Sequence, residues 1–352
     1  MRNVSASALR AGIGGLLALL SVALLAGCGG SAEQAGKLFI YNWTYYIPDE
    51  VIEAFEEEYG VDVVYDVFAS NEEMFAKLKA GGTGYDIAFP SGDYVSIMAN
   101  EEMLLEIDRS RLTNWGNLDE SVLAKIAYDP GNRWSVPYMM GAAGIAVNTE
   151  YVSDYERSWS IFAREDLRGR MTMLDDMREV LGGALSYLGY SVNTTNEAEL
   201  AAARDLVTEW SENLLRFDAE AFGKAFANGE VWVVQGYQEN VFLELDESEW
   251  EKVDFFIPEE GGSMYMDSMV LLKDAKNIDV AYQFMDYILE AQVMAEIADY
   301  LGLPSINVPA RALMQTVPRY QISDLDAAEF KEDLGLTIDR YNQAWQEIRV
   351  GG

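Results

Sequence analysis

Residues 38–89 read LFIYNWTYYIPDEVIEAFEEEYGVDVVYDVFASNEEMFAKLKAGGTGYDIAF, and their order of elements sets the fold. Residues 38–41 form a short apolar strand. Pro48 then opens a helix at its first turn; Ile52, Phe55 and Tyr59 line one face, and Gly60 stops it. Residues 61–65 make the next strand. Ser70-Asn71-Glu72-Glu73 is a capping box that opens a second helix, ending at Gly81-Gly82. Residues 86–89 give a third strand. Strand–helix–strand–helix–strand predicts an α/β lobe with a mainly parallel sheet. Ligands of such sheets settle on the loops after the carboxyl ends of the strands. Here those loops are residues 42–46 and 90–94, both aromatic and polar.

Further along, residues 141–147 are small and apolar, suited to a strand where the chain could pass to a second lobe. Helices are predicted near 177–188, 197–215 and 219–228, and strands near 231–234, 255–258 and 269–272. A helix over 280–300 and a terminal one near 338–349 complete the pattern. There is no internal repeat and no low-complexity tract.

The amino terminus has a different character. Arg2 and Arg10 precede an apolar run over residues 11–26, the layout of a secretory signal. Leu25-Ala26-Gly27-Cys28 then resembles a bacterial lipobox, which implies cleavage before Cys28 and acylation of its thiol. Residues 1–27 would be the lipoprotein signal peptide, and residues 28–36 a flexible tether between lipid and fold. An ordinary cleaved signal or a retained membrane helix are the other readings. The lipobox reading places the protein outside the cytoplasm, periplasmic and anchored to a membrane. No second apolar stretch approaches the ~18 residues that a spanning helix requires. Cys28 is the only cysteine, so neither a disulfide nor a thiol nucleophile is at hand.

The 352 residues carry 59 acidic and 25 basic side chains, a net charge of −34. That argues against nucleic acid as a partner, which needs a basic footprint, and favours cations. Most of these carboxylates read as a solvated surface, since a lysine-poor acidic exterior suits high salt. At 1 M salt the Debye length is only ~3 Å, which removes long-range steering. The chain has no histidine, which removes the usual general base and the commonest metal ligand. No phosphate loop, dinucleotide fingerprint or EF-hand is present. A carboxylate-only hydrolase stays open, but no spacing singles out an acid pair.

Several segments resemble the spermidine/putrescine-binding proteins of polyamine ABC importers. They include Tyr41-Asn42-Trp43-Thr44 with Tyr46, Ser70-Asn71-Glu72, Tyr85-Asp86 with Pro90-Ser91, Pro137-Tyr138 with Gly141, Asp175-Asp176 with Arg178-Glu179-Val180, Gly189-Tyr190-Ser191, and Gly261-Gly262 with Met266-Asp267-Ser268. The similarity runs in order over nearly the whole mature chain. It implies a periplasmic-binding-protein type II-like fold, two α/β lobes joined by a hinge with a ligand cleft between them. The implied lobes are discontinuous: residues 37–144 with 267–308, and residues 145–266 with 309–352. The expected activity is non-enzymatic. A monomer, with no cofactor and no metal, holds a small cationic ligand and delivers it to an ABC permease.

A polyamine is a rod of methylenes with separated ammonium groups, so its site needs spaced carboxylates and flat apolar walls. Aromatic faces both bury methylenes and attract ammonium, the latter worth ~0.5–2 kcal/mol per contact. Asp176 and Glu179 lie three apart at a helix start, on one face. By family match they accept ammonium, although Asp175 could instead be the N-cap, and acids in a first turn commonly serve the helix dipole. Asp267 matches the family's other central carboxylate. Trp43 matches a cleft wall, with Tyr46 beside it; Thr44 and Ser91 offer hydroxyls on the rim or cap the following helices. Tyr237 and Tyr265 fall where relatives usually carry tryptophan. Three departures stand out. Tyr45 replaces a glutamate, Asp93 replaces a tyrosine, and Lys331 aligns with a glutamine that helps hold a terminal amine. A lysine there would repel ammonium unless it pairs with Asp93 or faces solvent. A shorter diamine, an amino acid derivative, or ferric iron held by clustered tyrosines are the alternative cargoes.

Overall fold

The computed structural model describes residues 36–351 apart from Tyr45, Ala69 and Thr83. The signal peptide, Cys28 and the tether up to residue 35 lie outside the described residues.

The opening stretch folds as its pattern dictates. β1 (Gly36–Trp43) is followed by α1 (Asp49–Tyr59), which Gly60 ends in a left-handed conformation at φ 65°. β2 (Val61–Phe68) leads to α2 (Asn71–Lys79), whose N-cap Ser70 accepts the Glu73 amide. β3 (Ile87–Ala88) precedes α3 (Gly92–Asn100). β1 pairs in parallel with β2 on one side and β3 on the other. Val51 and Phe55 are the buried residues of α1, and Ile52 and Tyr59 flank them half-buried.

After α4 (Glu120–Leu123) come β4 (Ser135–Ala142) and β5 (Gly144–Asn148), separated only by Ala143. They lie in different sheets. The second sheet has the order β7-β6-β8-β5-β9, where β6 is Met171–Met173, β7 Leu214–Phe217, β8 Val233–Gly236 and β9 Val253–Phe256. The helices α5 (Met177–Tyr187), α6 (Glu197–Ser211), α7 (Phe222–Ala227) and α8 (Gln238–Phe242) run between its strands. The chain then returns: β10 (Ser263–Leu271) pairs antiparallel with both β3 and β4 in the first sheet.

The expected single helix over 280–300 is two, α9 (Ile278–Ile288) and α10 (Ala291–Leu301). The Leu289 carbonyl accepts side-chain amides from Asn117 at 3.0 Å and Asn307 at 2.8 Å, and the ladder restarts beyond it. β11 (Glu329–Phe330) adds in parallel to the edge of β10, and α11 (Ile338–Gly351) packs on α5 and α6.

Asp86 ties the first sheet together. It is 1% exposed, and its carboxylate accepts the amides of Phe39 (3.0 Å), Lys276 (2.8 Å) and Asn277 (2.9 Å) and the Asn277 side chain (2.9 Å). One side chain thus joins β1 to the start of α9. Hydrogen bonds to a buried charge are the strong kind, and deleting the acceptor orphans every donor. Asp86→Ala is expected to lower unfolding free energy by about 3–5 kcal/mol, read as a shifted urea midpoint with an unchanged slope.

Candidate ligand-binding cleft

The residues that follow β1 and β3 meet on β10. Trp43, the last residue of β1, is half-buried; its indole donates to the Phe89 carbonyl at 2.8 Å and its ring lies 4.6 Å from Phe68. Thr44 is exposed on the rim, and Tyr45 lies outside the described residues. Tyr46 donates its hydroxyl to Asp267 Oδ2 at 2.7 Å. Its ring meets Tyr138 edge-on at 5.2 Å, and the Tyr138 hydroxyl donates to the Tyr46 carbonyl.

Ser91 precedes α3 at the N-cap position, but its hydroxyl makes no cap. It donates to Asp267 Oδ1 at 2.6 Å and accepts from Asn71 at 3.0 Å. Of the two readings of this serine, rim hydroxyl and helix cap, the geometry favours the first.

Asp267 lies in mid-strand at a register shift, where Asp267 faces Met139 and Ser268 faces Pro137. The bulge turns the side chain toward Ser91 and Tyr46. Asp267 is 5% exposed. Burial pushes its carboxyl up to about 6 against the pull of the two hydroxyl donors. No lysine or arginine among the described residues is within ion-pair distance of it.

Glu239 joins this end of the cleft and was not singled out from sequence. It sits in the first turn of α8, half-buried, and burial with the nearby Asp267 charge raises its carboxyl to about 7. An acid in a first helical turn is already accounted for by the helix dipole, so its position carried no further signal.

The other end is organised around Lys331. Asp176 caps α5, accepting the amides of Arg178 at 2.8 Å and Glu179 at 3.0 Å. Asp175 does not cap; it pairs with Arg349 at 2.7 Å. Glu179 is 2% exposed, and its Oε1 accepts Lys331 Nζ at 2.7 Å and the Tyr237 hydroxyl at 3.3 Å. Burial raises the Glu179 carboxyl while Lys331 opposes the shift. Burial disfavours the Lys331 charge, but Glu179, Asp176 and Asp93 outweigh it and hold its pKa above the ordinary lysine value. Of the two escapes open to this lysine, Asp93 or solvent, it takes neither and pairs with Glu179. Asp93 keeps one buried oxygen without a hydrogen-bond partner; burial raises its pKa, opposed by Lys331 and Arg178.

Tyr265 bridges the two ends, its ring edge-on to Tyr237 at 5.9 Å. Its approach to β4 depends on Gly141, where an added Cβ would fall 2.5 Å from the Tyr265 hydroxyl. A narrow gap is lined by Ser91, Asp93, Tyr128, Tyr265 and Lys331. Of the sequence-predicted residues, Tyr46 and Ser91 meet on Asp267, Asp176, Tyr237 and Lys331 gather around Glu179, and Asp93 and Tyr265 lie between; Trp43 instead contacts Phe68 and Phe89, and Thr44 is exposed.

The sequence matches the family model for bacterial extracellular solute-binding proteins over residues 50–322. The spermidine/putrescine-binding periplasmic protein of Escherichia coli is 34% identical over 328 residues, covering 91% of this chain and 93% of that protein. A putrescine/cadaverine-binding protein of Pseudomonas aeruginosa is 33% identical over 303 residues, 83% of this chain and 85% of its own. Among solved structures, the TpPotD lipoprotein of Treponema pallidum superposes with a TM-score of 0.87 at 48% identity, over 89% of this chain and 99% of that one.

The raised Asp267 carboxyl couples folding to pH. Folded Asp267 keeps its proton to higher pH than the unfolded chain does, so its contribution favours the folded state at low pH and is lost as pH rises from about 4 to 6. Asp267→Asn removes that dependence. Relative to wild type, the ligand-free variant should gain about 2 kcal/mol in denaturant stability between pH 4 and pH 8. An unchanged difference would mean that the carboxyl is not desolvated.

Proposed function

The chain belongs to the bacterial extracellular solute-binding proteins, and we propose that it is the substrate-binding lipoprotein of an ABC importer for a polyamine, spermidine or putrescine. In this reading the segments 37–144 with 267–308 and 145–266 with 309–352 form two lobes that close on the ligand and present it to a membrane permease. Cys28 carries the lipid, and the protein acts as a monomer. Solute-binding proteins of this family carry cargo without making or breaking bonds in it.

The observation that carries the reading is the pair of acids without an ion-pair partner among the described residues, Asp267 and Glu239, beside aromatic side chains. A buried carboxylate without a counter-charge is costly, and an ammonium group removes that cost while the rings cover methylenes. Tyr46 and Ser91 hold the two Asp267 oxygens, so the acceptor is oriented before the ligand arrives. That saves ordering entropy on binding. Two carboxylate–ammonium contacts with aromatic burial are consistent with micromolar affinity, roughly −8 kcal/mol.

Calorimetry on protein lacking residues 1–27, with putrescine, spermidine, 4-aminobutyrate and ferric citrate, tests the assignment. An amine should bind, and Asp267→Asn should weaken it about 100-fold, or 2–3 kcal/mol. Preference for 4-aminobutyrate or iron with no amine binding would overturn it.

The pH dependence has a defined sign. Ammonium needs ionised carboxylates, and the two acids titrate at about 6 and about 7. Amine affinity should therefore climb between pH 5.5 and pH 8 and then level off, with protons released on binding. Titrations in buffers of different ionisation enthalpy report that release directly.

A further inference from the structure

The cleft already contains one ammonium group, that of Lys331, and it is built in rather than draped over the surface. The Lys331 amide donates to the Met264 carbonyl at 3.2 Å. On one flank the Asn193 side chain donates to the Phe330 carbonyl at 2.8 Å; on the other it accepts the Glu332 amide at 3.0 Å. Arg178 donates to the Glu332 carbonyl at 3.2 Å and to Asn193 Oδ1 at 2.7 Å. The backbone on both sides of the lysine is thus fixed. Its side chain is 15% exposed and its partner Glu179 carboxylate 1%.

We propose that Lys331 is a tethered ammonium that permanently fills the Glu179–Asp176 seat of the cleft, so that the protein selects a diamine and rejects a triamine. The inference rests on the amine-binding reading above and narrows it. The buried acids sort into two groups. Glu179 is ion-paired with Lys331 and Asp176 lies in the same field, whereas Asp267, which feels Lys331 only from beyond ion-pair distance, and Glu239 have no ion-pair partner among the described residues. Two open carboxylates match two ammonium groups. A third ammonium on a longer ligand would meet the Lys331 charge across a desolvated gap, where like charges repel far more than in water. Displacing Lys331 instead would strip Glu179 of its ion-pair partner and force a clamped segment to move, at a cost the ligand must supply. Asp93, with its unpartnered oxygen, lies beside Lys331 and adds to the field that keeps the lysine charged and in place.

The test is calorimetric titration of wild type and Lys331→Gln with putrescine and spermidine under one set of conditions. Wild type is expected to favour putrescine at least tenfold. Lys331→Gln frees the seat and should tighten spermidine tenfold or more, reversing the order. Equal affinities in wild type, or the same ratio in Lys331→Gln as in wild type, would overturn the proposal while leaving amine binding intact. Absence of any amine binding by wild type would instead overturn the functional reading on which it rests. Losing its partner could unfold the region around Glu179, so the quantity to compare is the ratio of the two affinities, which is independent of the folded fraction. In the Glu179→Gln/Lys331→Gln double variant, the vacated seat loses the carboxylate that holds the Lys331 ammonium and keeps only Asp176, which is engaged in capping α5. The spermidine gain of the single variant should then disappear, and a gain that persists in the double variant would also overturn the proposal.

Discussion

Asp267 is a buried carboxylate held by neutral hydroxyls alone, and the architecture of the cleft follows from that constraint. A charge in such surroundings needs either a proton or a cation. Among the described residues no cation pairs with it, and the Lys331 charge reaches it only from beyond ion-pair distance. Tyr46 comes from the loop after β1, Ser91 from the loop after β3, and Asp267 from the strand laid beside β3 and β4. Three segments distant in sequence therefore converge on two oxygen atoms. Glu179 shows the contrasting solution, a buried carboxylate whose counter-ion is covalently part of the same chain. One cleft thus holds both a satisfied and an unsatisfied version of the same electrostatic problem.

The two sheets make this contrast possible. Asp267 belongs to the first sheet, Glu239 follows β8 of the second, and Glu179 sits on α5, whose Arg178 carbonyl accepts the Ser263 hydroxyl at the start of β10. Gly182 on α5 faces the same serine: an added Cβ would lie 2.1 Å from its hydroxyl oxygen. α5 therefore rests directly against the strand that carries Asp267. At Ser263 and Met264 the same strand pairs with β11, which carries Lys331 just beyond its end. β10 is thus the common rail for the acid, the aromatic wall at Tyr265 and the lysine.

Much of the first sheet was legible because its signals are local. Gly60 ends α1 and Ser70 caps α2 through short-range geometry that residue type alone specifies. The break at Leu289 was hidden because it depends on side chains outside the helix, Asn117 at 172 residues' separation and Asn307 at 18. The cleft residues from Trp43 to Lys331 came from resemblance, since each has a local role that explains it equally well. Asp176 in fact performs that local role, capping α5 while lying beside Glu179 and Lys331. Glu239 was missed for the same reason. The partner of Lys331 was not legible either, because it is fixed by the register of β11 on β10, and strand pairing across more than sixty intervening residues leaves no periodic trace.

The order of strands in the first sheet bears on when the chain can finish folding. β1, β2 and β3 emerge from the ribosome early, yet β3 is covered on its far side only by β10, and the Asp86 carboxylate finds Lys276 and Asn277 later still. Until roughly three-quarters of the polypeptide has been synthesised, the nascent amino-terminal half has an open sheet edge and an unquenched acid. Contacts this distant form slowly. The first sheet therefore cannot close the β3 edge, nor Asp86 fill its hydrogen bonds, before residues 263–277 are available.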